Sequence, residues 1–341
     1  MDNSQQEGVK RYYQRHSTPA WKRALISHES VVALLVLIVL VTAFLTVRNF
    51  ASPTTGNFFL LDVAPILMIA LPMTLVIVAG EIDLSVASVF GLSSVVLGVL
   101  FQAGVPMVLA IVAAIIVGAI AGLFNGFLIA YVGLPSLAVT IGTLALYRGI
   151  AVGYLGTTAV TGFPSEWTQL AKASIGTSAI PVIVVPIVAL IILFVVLLHF
   201  TPYGRGIYAI GQNSAAATFA AVDVRRTKLL LFVSTGAVAA LAGAFVTLRF
   251  SNAIGSNGIG LELQVVAAVV LGGVSIFGGR GTVLGAVLGV LLIGVLASAL
   301  RLASVPANTI DVITGAVLVL SVLFTTVQAW NSRRRSPRPV K

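Results

Sequence analysis

VIVAGEIDLSVAS, residues 76–88, places two carboxylates, Glu81 and Asp83, between two long hydrophobic runs. The chain of 341 residues has only ten acidic side chains, so a pair of them at this position is unusual. A charge is costly to bury in apolar surroundings, and the pair indicates either a functional site or a sharp turn at a membrane edge. A solvated loop between two hydrophobic segments would also accommodate it. The sequence on both sides of the turn helps to distinguish a functional site from a turn at the membrane edge or a solvated loop.

The composition around this turn is that of a membrane protein. The chain is 58% hydrophobic and 9% charged, with a mean hydropathy of +1.09, whereas about a quarter of the residues in a soluble domain are charged. The apolar runs are continuous rather than alternating, which favours helices over strands as the spanning elements. We therefore predict an all-α fold, a polytopic transmembrane helix bundle.

Because a bilayer core requires about 20 apolar residues per helix, the hydrophobic runs correspond to about ten spans. The second and third flank the Glu81 turn and are candidates for a broken or re-entrant element. The predicted spans are 31–47, 62–79, 84–101, 107–132, 136–153, 180–200, 229–248, 263–278, 283–302 and 308–327.

Lysine and arginine set the expected orientation. Both ends of the chain are basic, so both are expected in the cytoplasm, which requires an even number of spans. The predicted organisation is a cytoplasmic arm at 1–30, a transmembrane domain at 31–327 and a basic cytoplasmic tail at 328–341, with the first span kept as a signal anchor. With ten spans, the basic loop residues expected inside are Arg205, Arg225, Arg226, Lys228 and Arg280, and those expected outside are Arg48, Lys172, Arg249 and Arg301.

The residue inventory argues against several kinds of chemistry. Without cysteine there are no disulfides, thiolate nucleophiles or cysteine zinc sites, and the three histidines lack the spacing of paired metal ligands. The net charge of +10 is better explained by the orientation of the chain in a bilayer than by nucleic-acid binding. Residues 278–282 are rich in glycine but lack the Lys-Ser/Thr end of a phosphate-binding loop. We expect no enzymatic activity, no metal and no cofactor in this chain.

Two loops are long enough to contain structure of their own. The outer one, Tyr154–Ala179, is expected to hold a short surface helix that ends near Lys172. In the inner one, Thr201–Lys228, Pro202 and Gly204 are expected to end the preceding helix. A short apolar helix over 215–222, capped by Asn213 or Ser214, should follow. Such a helix either docks in a groove of another protein or lies on the lipid surface.

Small residues recur at fourfold spacing in two places. Such stripes allow helix backbones to approach closely in lipid, so they predict tight packing rather than a site. The glycines concerned are Gly118, Gly122 and Gly126 in one stripe and Gly281, Gly285 and Gly289 in the other.

Four segments together resemble the ribose-type branch of bacterial monosaccharide ABC-importer permeases. GEIDLSVAS at 80–88 is similar to that family's Gly-Gly-Ile-Asp-Leu-Ser-Val-Gly-Ser signature, and GRGIYAIGQNSAAATFAAVDVRRTK at 204–228 is similar to its cytoplasmic loop. LGGVSIFGGRGTVLG at 271–285 and TIGTLALYRG at 140–149 resemble two further stretches of the family. The resemblance extends from the first span to the last.

The resemblance implies a dimer of permeases in the inner membrane, either two identical chains or a pair with a sister permease. It also implies a cytoplasmic ATPase subunit, which binds the ATP, and a periplasmic or lipid-anchored solute-binding protein that delivers a sugar. The short inner helix would then be the one that docks on the ATPase. Its residues are Asn213, Ser214, Ala215, Ala216, Ala217, Phe219, Ala220 and Val222.

This sequence departs from the family pattern at three points. Glu81 and Ala87 replace glycines of the signature, and Ser214-Ala215 stands where Pro-Glu is common. The signature with glutamate at position 81 is similar to that of rhamnose-type permeases, whereas residues 71–78 and 98–106 resemble the corresponding residues of autoinducer-2-type permeases. The solute therefore remains open among ribose, rhamnose and autoinducer-2.

Two rival functions are compatible with the sequence. One is a proton-coupled secondary transporter with Glu81 or Asp83 as the proton carrier, because acidic residues at broken helices form such sites. The other is a channel or a structural membrane subunit, although nothing resembles a selectivity filter. A docking helix favours the ATP-driven importer over both.

Two sets of polar residues are candidates for the transport mechanism. A turn coupled to gating would be formed by Gly80, Glu81, Asp83, Ser85 and Ser88, with helix N-terminal amides receiving Asp83. Polar residues on otherwise apolar spans either line the translocation cavity or bond helix to helix; they are Asn125, Thr140, Thr143 and Tyr147. Nearby Arg148 must find a carboxylate, a group of carbonyls or the outer interface.

Overall fold

The computed structural model describes residues 28–156, 158–310, 312–317 and 319. In this part of the chain the apolar runs are helical, because only helices satisfy their backbone polar groups within one segment in lipid. The helices are α1 (His28–Thr46), α2 (Pro53–Val78), α3 (Val86–Gln102), α4 (Met107–Ala130), α5 (Ser136–Leu155), α6 (Ser165–Leu170), α7 (Val184–Phe200), α8 (Pro202–Gln212), α9 (Ser214–Phe219), α10 (Val224–Phe250), α11 (Leu261–Leu271) and α12 (Val283–Leu302). Two short strands, β1 (Val160–Thr161) and β2 (Asn252–Ala253), pair antiparallel.

The prediction of an all-α membrane bundle is confirmed at this level. Each of the first nine predicted spans contains a helix. Half of the tenth, 308–327, lies outside the described residues, together with the tail 328–341 and most of the arm 1–30, and its described residues 308–310, 312–317 and 319 are helical. Six described helices are long and apolar enough to cross a membrane, or seven if α7 and α8 form one span bent by 68°. The count of ten spans and the cytoplasmic position of both ends stay predictions.

Helices α2 and α10 form the centre of the bundle. From Leu61 onward α2 is almost wholly buried, and α10 packs against α2, α3 and α4. A second group joins α12 to α1, α2 and α11. By contrast, α1 and α5 expose most of their apolar side chains, as expected for lipid-facing helices.

Both predicted glycine stripes lie at close helix contacts. A Cβ on Gly122 would lie 2.1 Å from the carbonyl oxygen of Phe232, so α4 and α10 touch backbone to backbone. A Cβ on Gly289 would lie 2.0 Å from the carbonyl oxygen of Ala268, which brings α12 against α11. Gly281 lies before α12 and serves a turn, with φ of +134°.

The contacts between loops divide the bundle into two ends. At the end called inner here, the amide of Gly279 donates to the carbonyl of Val78 at 2.8 Å, and α8 packs against the same backbone. At the opposite, outer end, Asn57 donates from Nδ2 to the carbonyl of Ala179 at 3.0 Å. These ends correspond to the two sides expected from the charge distribution.

Within the inner loop, α8 was not foreseen. Helix α7 does end before Pro202 as expected, but Pro202 then begins an 11-residue helix rather than a loop. The Thr201 hydroxyl accepts from the amide of Gly204 at 3.1 Å, and proline at a first helical position loses no hydrogen bond. The following helix, α9, spans 214–219 instead of 215–222, since Ala221 has a φ of +60°.

Candidate functional site

The turn between α2 and α3 enters the bundle from the inner end. Gly80 adopts a φ of +81°, which favours glycine, and Asp83 is 1% exposed. One oxygen of Asp83, Oδ1, accepts from the Ser85 amide at 3.0 Å and from its hydroxyl at 2.6 Å. The other, Oδ2, accepts from the hydroxyl of Thr235 on α10 at 2.6 Å. One of the donors to Asp83 is thus the amide of Ser85, the residue directly before α3, while the gating role of the turn stays a prediction.

A chain of buried polar groups extends from this turn into α4 and α5. Asn125 donates from Nδ2 to the Ser85 hydroxyl at 2.8 Å, and the Tyr147 hydroxyl donates to Oδ1 of Asn125 at 3.3 Å. Ser88 donates to the carbonyl of Ser85 at 2.8 Å. Unpaired polar groups in such a place would be costly, so the network fixes how the turn sits against three helices.

Three of the four candidate cavity residues are brought to the signature turn, Asn125 and Thr140 by direct hydrogen bonds and Tyr147 through Asn125. Thr140 donates to the carbonyl of Ile82 at 3.3 Å and to that of Ser136 at 2.8 Å, whereas Thr143 bonds only within α5. All four are at most 6% exposed, and they contact groups of the same chain. Their role as the lining of a translocation cavity stays a prediction.

Glu81 lies at the inner rim of the turn and forms an ion pair with Lys228 near the start of α10. Both side chains are less than one-fifth exposed. Glycines make the surrounding contacts possible, because the backbones of Gly80, Gly211 and Gly278 pass close to one another. The turn, the end of α8 and the start of α10 are thus joined at one place.

Helix α9 lies at the inner end and carries an exposed aromatic residue. Asn213 caps it, with Oδ1 accepting from the amide of Ala216 at 3.0 Å. Ala217 is buried, whereas Phe219 is 93% exposed. A groove of about 500 Å³ runs beside the helix, with Thr218 and Arg225 among its lining residues. Asp223 accepts from the amide of Arg226, so it begins α10 rather than ending α9.

At the outer end, a non-helical segment over 252–260 enters the bundle, which sequence reasoning missed. Arg148 on α5 holds it: Nη1 donates to the carbonyls of Gly255 and Asn257, each at 2.7 Å, and Nη2 donates to that of Ala87 on α3 at 2.9 Å. Of the three partners proposed for Arg148, the group of carbonyls is the one found. The Gly/Asn/Ser composition of 251–260 signals a loop, but not its depth.

A second charged cluster at the outer end was also missed. Asp62 on α2 bonds Arg249 through Oδ1 at 2.5 Å and Arg301 through Oδ2 at 2.7 Å. The charge pattern predicts that Arg249 and Arg301 lie on the same side, and they do share one end of the bundle. The cluster joins the ends of three helices, α2, α10 and α12.

These features define a multi-pass membrane protein with a polar turn at its centre and a short exposed helix at one end. Over residues 57–322 the chain matches the family described as the branched-chain amino acid transport system / permease component. The protein belongs to this family of permeases, and it is a multi-pass protein of the inner membrane. The resemblance seen in the sequence is confirmed at this level.

The proteins similar to this chain include permeases whose names give autoinducer 2 as the imported solute. The chain is 39% identical over 282 residues to the autoinducer 2 import system permease protein LsrD of Yersinia enterocolitica, which is 79% of this chain and 85% of that protein. It is 37% identical to the proteins of the same name from Yersinia pseudotuberculosis and Yersinia pestis, over 79% of this chain and 84% of each. No solved structure matches the chain.

Proposed function

We propose that this chain is the membrane permease of an ATP-driven importer that receives a small hydroxylated, sugar-like solute of the autoinducer-2 class from a binding protein. The names of the similar proteins support this solute, with ribose and rhamnose as the other candidates. In the proposed mechanism, two copies or a copy and a sister permease enclose the path. A cytoplasmic ATPase switches that path between inward-facing and outward-facing states.

The observation that carries the proposal is the position of α9. A capped helix with an almost fully exposed phenylalanine, Phe219, is unfavourable in water and is well suited to a groove of another protein. This helix is followed directly by α10, whose Lys228 pairs with Glu81 of the signature turn. Movement of α9 by a bound ATPase would therefore reach the turn through one short and continuous path.

The proton-coupled alternative has less support. Glu81 is engaged by Lys228, and Asp83 accepts three hydrogen bonds. A proton carrier must alternate between states in which its carboxylate is bonded and free, and these contacts hold both carboxylates in one arrangement. Import that is unaffected by a protonophore but abolished by removal of ATP would exclude proton coupling.

Docking is tested by co-purification of the permease with its ATPase. The variant Phe219→Glu should reduce the amount of ATPase retained at least tenfold, because a carboxylate would have to be buried in an apolar groove. Tyr154→Glu is the matched control, since Tyr154 is an exposed aromatic residue at the outer end of α5 and should retain the ATPase. Equal retention by both variants would contradict the docking role of α9.

A further inference from the structure

One face of α10 holds the signature turn at two points. Lys228 and Thr235 are seven residues apart on this helix, which is almost two full turns, so both lie on the same face about 10 Å apart. Lys228 forms the ion pair with Glu81, and Thr235 donates to Oδ2 of Asp83 at 2.6 Å. A segment attached at two such points cannot pivot on the helix, and it follows the helix when the helix shifts.

Both attachments involve a charged group that is shielded from water. Glu81 and Lys228 have side chains that are 12% and 18% exposed, and Asp83 is almost fully buried. Attraction between charges is stronger at such sites than at the protein surface, where water screens it. A hydrogen bond to a carboxylate is also stronger than one between neutral groups. The turn is therefore held firmly against α10.

The bonds from the turn to α5 are weaker. The amide of Ile82 donates to the Ser136 hydroxyl at 3.3 Å, and the Thr140 hydroxyl donates to the carbonyl of Ile82 at 3.3 Å. Both bonds join neutral groups and are long for their kind. The bond from Asn125 of α4 to Ser85 is shorter, at 2.8 Å, but α4 itself lies backbone to backbone against α10. When α10 and α5 move relative to each other, the turn therefore stays with α10.

The connection between α9 and α10 is short and internally hydrogen-bonded. Only residues 220–223 separate the two helices. The amide of Val222 donates to the carbonyl of Ala217 at 3.1 Å, and Oδ1 of Asp223 accepts from the amide of Arg226 at 3.0 Å. Because these bonds close the connection onto both helices, a displacement of α9 is passed to α10 instead of being absorbed by a loose loop.

From these contacts we infer that Glu81 and Lys228 are positioning residues for transport: their ion pair makes the signature turn move with α10 when the ATPase displaces α9. The inference rests on the proposed function, and it assigns to two residues the transmission that this function requires. An ion pair that only stabilises the fold affects the amount of folded permease. A transmitting ion pair also determines how much solute is moved for each ATP hydrolysed.

The test uses the complete transporter in liposomes, with the permease, its ATPase and its binding protein, and labelled autoinducer-2 as the solute. The readout is solute moved per ATP hydrolysed, because this ratio does not depend on how much transporter is folded. Lys228→Met should lower the ratio about tenfold, within the usual range of coupling between two sites, and should retain the ATPase on co-purification as wild type does. A wild-type ratio in Lys228→Met would overturn the inference.

Two further variants complete this measurement. Arg301→Met is the matched control, because it breaks the ion pair of Arg301 with Asp62, which lies at the outer end of the bundle; it should keep the wild-type ratio. Exchange of the charges, Glu81→Lys with Lys228→Glu, should restore the ratio to within about twofold of wild type. A ratio that stays low in the exchanged pair when its stability is restored, or an equal loss in Arg301→Met, would also overturn the inference.

A covalent link decides the matter if Lys228→Met fails to assemble. The chain has no cysteine, so Glu81→Cys with Lys228→Cys introduces the only two thiols, and it leaves neither charge buried without its partner. This double variant should show the low ratio. A short bifunctional methanethiosulfonate reagent that joins the thiols should raise the ratio about tenfold, because the link replaces the ion pair. A link that leaves the ratio low, or that stops transport, would overturn the inference.

Failure of the proposed function would give a different pattern. If the wild-type transporter accumulates autoinducer-2 without ATP, or if its ATPase does not associate with it, the proposed function is wrong and the inference falls with it. If the wild type moves ribose or rhamnose but not autoinducer-2, only the proposed solute is wrong, and the ratio measured with the transported solute still tests the ion pair.

Discussion

Replacing Asp83 with alanine removes the group on which the buried turn depends. The carboxylate accepts three hydrogen bonds, two from Ser85 and one from Thr235. With about 1.5 kcal/mol for each bond to a charged acceptor, the gross loss is about 4.5 kcal/mol. Part of this loss is offset because the variant no longer buries a charge, so we expect a net destabilisation of about 3 kcal/mol.

The bond from Thr235 can be isolated, because it alone joins the carboxylate to another helix. Thr235→Val keeps the shape of the side chain and should cost about 1.5 kcal/mol. The two destabilisations should not add in the double variant, because Asp83→Ala already removes this bond. The sum of the two single-variant destabilisations should therefore exceed the destabilisation of the double variant by about 1.5 kcal/mol.

The assay is the temperature at which half of the purified permease aggregates in detergent, measured for wild type, both single variants and the double variant. Uptake by the complete transporter is measured alongside, with the amount of permease in the membrane quantified. We expect Asp83→Ala to abolish uptake even where permease is present. Full uptake at normal protein levels would show that transport does not depend on Asp83, and strictly additive losses of stability would show that Thr235 does not act through this carboxylate.

Three other contacts lead to predictions of the same kind. Lys228→Ala should leave Glu81 unpaired and cost about 3 kcal/mol, and exchange of the two charges should restore most of the stability in the aggregation assay. Gly122→Leu should prevent accumulation of folded protein, because its Cβ would overlap the α10 backbone, whereas Gly142→Leu meets open space and should accumulate normally on size-exclusion chromatography. Arg148→Lys replaces a fork that bonds three carbonyls by a single ammonium group, so we expect slower uptake and faster proteolysis within 252–260; unchanged rates of both would count against the arginine as the anchor.

Much of the fold follows from local features of the sequence. Hydrophobic length located the helices of the first nine predicted spans but not α8. Fourfold spacing of glycine predicted close packing at Gly122, which the structure places against α10. The helix cap was also predicted from the sequence, since Asn213 caps α9 as expected. These features could be predicted because each depends on residues within a few turns of one another.

What the sequence did not reveal depends on contacts between distant segments. The pairing of Glu81 with Lys228 spans 147 positions, and no local pattern chooses that lysine among several basic residues in the loop. The depth of 252–260 is set by Arg148, more than 100 residues earlier. Pro202 is a different case, because proline both ends helices and occupies their first position, so the residue alone did not distinguish a stop from a start.

In the proposed mechanism, this permease moves solute only when a separate ATPase engages its inner end. The most direct measurement is accumulation of labelled solute in liposomes that contain the permease and external binding protein, with and without the ATPase and ATP. We predict accumulation above the external concentration only when both are present. Accumulation against a gradient by the permease without the ATPase would show that the permease does not depend on the ATPase.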